Sequence, residues 1–132
     1  MNALNQFLHS IGYPASASQD AMEFVLNVDG NAMSVTDAGA HLVLKKEVSR
    51  SADILPRLSR YAAGRFLCED EILYWDGRMM AAVLSRKIPA AASDREMREA
   101  FEAFANSCDW WDARSYASSA SPERFSEMVI LP

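Results

Sequence analysis

The chain has 132 residues, half of them apolar and 23% charged, with a formal net charge of −5. That is the length of one domain with its own core, and the composition of a folded protein rather than a disordered chain. The acidic balance and dispersed Lys and Arg speak against nucleic acid, which needs concentrated basic surface. Two cysteines, Cys68 and Cys108, are too few and too far apart for a disulfide framework or a zinc site, and read as reduced, packed thiols.

Residues 3–12 read as a short amphipathic helix, because Leu4, Phe7, Leu8 and Ile11 recur at helical spacing and Gly12 supplies a stop. The opening MNALNQFLHSIGYP has no basic residue ahead of its apolar positions and does not read as a secretion signal. From Ala21 the period changes to two, with Met22, Phe24, Leu26 and Val28 on one strand face and Glu23, Val25 and Asn27 on the other. Asp29-Gly30 predicts a two-residue hairpin loop pairing Leu26 with Met33 and Phe24 with Val35. A tight turn at Ala38-Gly39 would pair Val35 with Leu42 and Met33 with Leu44, so three strands agree on one buried face.

Helical spacing returns in residues 52–66, where Ile54, Leu58, Tyr61, Ala62 and Phe66 form a stripe and Pro56 belongs to the first turns. A second hairpin follows in LYWDGRMMAAVLSRKIP, ended by Pro89. If Asp76-Gly77 is its two-residue loop, Leu73 pairs with Met80, Tyr74 with Met79 and Ile72 with Ala81. Both faces of this hairpin are then apolar, and both need cover. Ser93 and Glu96 stand at capping-box spacing ahead of a long helix with Met97, Phe101, Phe104, Cys108 and Trp111 on its apolar stripe. Trp111 reads as core, and Trp110 flanks it, packing against the end of the chain or a partner. The domain therefore covers residues 1–115, and 116–132 is a Ser-rich tail in which Ser121-Pro122-Glu123 could open one short helix.

The order is α-β-β-β-α-β-β-α, which predicts an α+β fold with a mainly antiparallel twisted sheet flanked by helices. No apolar run approaches the length of a membrane span, the run from Met79 to Leu84 being far too short. A soluble cytoplasmic protein is expected.

No catalytic constellation is present. His9 and His41 lack partners at metal-ligand spacing, and the five glycines make no phosphate-cradling loop. Glu69, Asp70 and Glu71 are adjacent on a strand, point to alternate faces, and read as a solvated lead-in. The expectation is no enzyme, no cofactor and no metal.

The element order and particular segments resemble the class I type III secretion chaperones, also called the Tir chaperone family. LNQFLHSIGYP looks like their first helix and its glycine-to-proline exit, MEFVLNVDGNAMSV with AHLVLKKEV like their three-strand meander, and ILPRLSRYAAGRFL like their second helix. LYWDGRMMAAVLSRKIP followed by SDREMREAFEAFANSCDWW looks like their last hairpin and closing helix, so the resemblance spans about residues 3–112. The segment after Arg114 and the place of Pro56 depart from the family pattern.

The resemblance implies a cytoplasmic homodimer without enzymatic activity. Such a chaperone binds the N-terminal segment of a cognate secreted effector and keeps it extended and secretion-competent, through added strand pairing and apolar grooves. By position it places a dimer interface at Leu58, Tyr61, Phe66, Ile72, Tyr74, Met79 and Met80. It places effector contacts at Leu4, Phe7, Phe24, Val25, Met33 and Val43. Packing within the chain is the competing role for each; Val25 and Val43 are the more telling pair, because they lie on the polar side of the meander. The alternative is a non-catalytic binding or scaffold domain of the same fold with no secretion role, and a small enzyme is a distant third.

Overall fold

A computed structural model of the chain describes residues 2–50 and 71–118, with side chains to Ala113. The described elements are α1 (Ala3–Ser10), β1 (Glu23–Val28), β2 (Asn31–Asp37), β3 (His41–Ser49), β4 (Glu71–Asp76), β5 (Ala81–Pro89) and α2 (Asp94–Ser118). They form an α+β fold with one five-stranded antiparallel sheet in the order β1-β2-β3-β5-β4. The helix expected over 52–66 lies outside the described residues, as do Cys68, Glu69, Asp70 and residues 119–132.

Local chemistry sets the element ends. At the start of α1 the Asn2 side chain accepts from the Asn5 N–H at 2.8 Å. At its end the Gly12 N–H reaches the His9 carbonyl and the Tyr13 N–H the Leu8 carbonyl, with Gly12 at φ +73°. That pair of bonds is a Schellman motif, and it needs a residue that tolerates positive φ. In α2 the expected capping box is present: the Ser93 hydroxyl accepts from the Glu96 N–H, and the Glu96 carboxylate accepts from the Ser93 N–H. The helix runs on to Ser118, into the segment read as tail.

Both helices lie on one sheet face. Leu26, Met33, Val35, Leu42, Leu44, Leu84 and Ile88 face Leu4, Phe7, Leu8, Met97, Phe104, Cys108 and Trp111 in one buried cluster. Phe7 and Phe101 join the helices edge to face, 5.9 Å between centroids. The Ser10 hydroxyl lies 2.7 Å from the Gln6 carbonyl and 2.8 Å from the Asp94 carboxylate, tying the end of α1 to the start of α2.

Strand faces follow the predicted parity, but two registers do not. The Asp29-Gly30 hairpin pairs Leu26 with Met33 and Phe24 with Val35 as expected. Met22, expected on its inner face, instead precedes β1 and is exposed. Between β2 and β3, Val35 opposes Leu44 and Asp37 opposes Leu42, two residues from the expected register. The turn is one step later: the Ala38 N–H bonds the His41 carbonyl and Gly39 holds φ +89°. In the last hairpin Leu73 opposes Leu84, Tyr74 opposes Val83 and Asp76 opposes Ala81, four residues from the expected register. The Asp76 carboxylate accepts from the N–H groups of Arg78 and Met79, which closes a loop over residues 77–80 in place of a two-residue turn. Slips of two and four keep every side chain on its face.

Candidate functional site

β1 is one edge of the sheet. Asp29 and Gly30 both have positive φ (52° and 81°), so the loop is type I′ and Val28 and Asn31 form its hydrogen-bonded closing pair. Bonding alternates along an antiparallel ladder, so Val28, Leu26 and Phe24 bond to β2 while the N–H groups of Asn27, Val25 and Glu23 point away from the sheet. The Asn27 N–H is taken by the Tyr13 hydroxyl at 3.1 Å. Tyr13, placed by the α1 termination, stacks its ring edge-on against Phe24 at 5.8 Å. Among the described residues no such partner meets the outward N–H of Glu23 or Val25. The Val25 side chain beside them is 61% exposed.

The face opposite the helices carries Glu23 and Val25 of β1, Ser34 of β2, Val43, Lys45 and Glu47 of β3, Val83 of β5, and Ile72 and Tyr74 of β4. A groove of about 340 Å³ crosses it, lined by Val25, Ser34, Lys45, Glu47, Met79 and Val83 among others. Met79 stands at its wall from the tip of the β4–β5 hairpin, where Met80 is 61% exposed. On the same face Ala81 and Val83, the latter at the floor of the groove, are buried, so the second apolar side of this hairpin is covered over part of its length.

Beneath α2 the sheet holds charge. Glu71, expected to be solvated, is buried; its carboxylate is 3.0 Å from Arg86 Nη1 and accepts from the Ser107 hydroxyl at 3.1 Å. Its position explains the error, since Glu71 shares the inward face of β4 with Leu73 and Trp75. Lys46, inward on β3, pairs with Asp112 of α2 at 3.1 Å. Cys108 is buried on the same helix, and that burial pushes its thiol up to about 12, with the nearby Lys46 charge acting against the rise. The arrangement holds α2 to the sheet and leaves this thiol protonated.

The predicted partner-binding residues fall into three sets. Leu4, Phe7 and Met33 are packed in the core, where intramolecular contacts account for them. Phe24 is half-buried against that core, Val43 is half-buried on the outer face, and Val25 is open. Of the predicted interface residues, Ile72, Met79 and Met80 are exposed and Tyr74 is half-buried, while Leu58, Tyr61 and Phe66 lie outside the described residues. Met79 and Met80 sit in the loop and do not pair with Tyr74 and Leu73 as expected. Tyr13 was not legible as a site residue, since its link to Asn27 depends on how the chain returns from α1 to β1.

Among the described residues no group of three or more His, Cys, Asp or Glu side chains could hold a metal ion, and no helix is long and apolar enough to cross a membrane. No protein-family model and no curated protein matches the sequence. Solved structures do match. A chain of the HopA1–SchA chaperone–effector complex superposes with a TM-score of 0.69 at 16% identity, over 84% of this chain and 91% of that one. A chain of the ExsC–ExsE complex gives 0.62 at 19% identity, over 84% and 89%. A chain of the ExoT–SpcS complex from Pseudomonas aeruginosa gives 0.59 at 13% identity, over 81% and 91%. The fold is the one these chains share.

Proposed function

We propose that this protein is a cytoplasmic type III secretion chaperone that holds the N-terminal segment of a cognate effector extended and competent for secretion. The observation that carries the reading is the outer edge of β1. Two outward N–H groups, on Glu23 and Val25, stand beside an exposed valine at the mouth of a groove. An extended segment adds to such an edge through backbone bonds and places alternate side chains in the groove, without a cofactor or turnover. The shared fold with a chain from a chaperone–effector complex supports the same reading.

A second copy of the chain completes the proposal. Ile72 on the opposite edge strand and Met79 and Met80 at the hairpin tip are exposed apolar groups, and with Tyr74, Leu58, Tyr61 and Phe66 they form the proposed dimer contact. The test is co-expression with the product of a neighbouring gene as candidate effector. A chaperone gives a stable complex that keeps the partner soluble and a dimer in light scattering. A monomer that leaves the partner insoluble refutes the reading, and a binder that leaves it insoluble is a scaffold domain.

A further inference from the structure

We propose that Tyr13 is a gate on the β1 edge, an inference that rests on the edge-addition reading above. The Asn27 N–H points out of the sheet and is the next outward donor after Glu23 and Val25. An incoming strand that paired along the whole edge would place a carbonyl oxygen on that N–H, but the Tyr13 hydroxyl oxygen already occupies the position at 3.1 Å. A strand pairing there has to displace the phenol from that space. The ring packs on Phe24, and the backbone bond from Tyr13 N–H to the Leu8 carbonyl fixes the main chain that carries it. Only the side chain has to rotate to clear the edge, and Gly12 beside it offers no Cβ and has open space around it.

The gate has two consequences. With Tyr13 closed, a strand can pair only at Glu23 and Val25, a stretch too short to bind a passing polypeptide firmly, so the exposed edge is protected from indiscriminate pairing. With Tyr13 displaced, the edge extends to Asn27 and full pairing follows. Selection then belongs to segments whose side chains contribute enough in the groove to offset the lost tyrosine bond. Glu23, Lys45 and Glu47 line the groove and Arg50 pairs with Glu47, so selection rests on the apolar side chains and not on a net charge.

The test uses the full chain and its Tyr13→Phe variant, which keeps the ring and removes the hydroxyl. The probe is a short fluorescein-labelled peptide that alternates threonine and valine between terminal lysines, read by anisotropy. Asn27 amide exchange is followed by NMR in the absence of peptide. The gate predicts that Tyr13→Phe speeds Asn27 exchange and tightens peptide binding, each by about fivefold, the equivalent of one ordinary hydrogen bond. Val25→Pro and, separately, Glu23→Pro remove an outward donor without touching the β2 ladder and should abolish binding in either background. Unchanged Asn27 exchange overturns the cap. Equal affinity of the two proteins, with binding still lost in the proline variants, leaves edge addition standing and removes the gate. Weaker binding by Tyr13→Phe makes the hydroxyl a peptide contact and also removes the gate. No binding by either protein sinks the edge-addition reading together with it.

Discussion

Replacing Glu71 by glutamine keeps the shape of the side chain and removes its charge from beneath α2. The carboxylate is 4% exposed and its Arg86 partner 13%, so bulk water screens the pair weakly. Two charges about 4 Å apart at an effective dielectric near 20 attract by about 4 kcal/mol, and breaking a buried pair from one side costs about 3–5 kcal/mol. We expect about 3 kcal/mol for Glu71→Gln, at the lower end because the amide oxygen can still accept from Ser107. In urea, with a slope near 2 kcal/mol per molar, that is a fall in midpoint of about 1.5 M at fixed protein concentration. The double variant Glu71→Leu, Arg86→Met removes both charges and should unfold within about 1 kcal/mol of the parent chain, since a buried pair offsets mostly its own desolvation. A midpoint unmoved by Glu71→Gln, or a double variant as unstable as the single one, would show that this pair does not hold α2 to the sheet.

Other outcomes follow from the same structure. Gly30→Ala puts a Cβ at φ +81° in the type I′ turn and should cost about 1–2 kcal/mol in thermal unfolding, with the β1–β2 register kept. Iodoacetamide at mildly alkaline pH should leave Cys108 unlabelled in the folded chain and label it after denaturation, because burial pushes its thiol up to about 12; rapid native labelling at this site, seen by peptide mass spectrometry, would contradict that. The Glu96 carboxyl sits below its ordinary range because the Ser93 backbone N–H, and then the Ser93 hydroxyl, bond it. A lowered folded pKa means that the contribution is complete above the ordinary carboxylate range and is lost as pH falls through the folded value. The stability difference between the parent chain and Glu96→Ala should therefore shrink in acid, and a difference that grows as pH falls would reverse the sign.

What the sequence made legible was the face of each side chain, and what it hid was the register. Period-two alternation assigns Leu42 and Leu44 to the core whether a turn is placed correctly or not, because a slip by an even number of residues preserves the face. Register depends on the turn, and at Asp76 the side chain satisfies two loop N–H groups and so stabilises a longer loop than Asp-Gly suggested. That shift carried Met79 and Met80 out of the strand and onto the hairpin tip. The buried charges do carry a signal in the sequence: Lys46, Arg86 and Glu71 each stand at inward parity among apolar neighbours on β3, β5 and β4. Three charges at core positions on adjacent strands require partners, and Asp112 and Ser107 supply part of the answer from α2. Val25 was legible for the opposite reason, as an apolar residue on a polar face that the described residues leave exposed.

The decisive measurement is amide hydrogen exchange on the complex with the effector that co-purifies with this chain. Strand addition at β1 predicts strong protection of the Glu23 and Val25 amides on complex formation, with the inward-bonded Leu26 amide little changed. An intact complex in which the Glu23 and Val25 amides exchange as fast as in the free protein would contradict it.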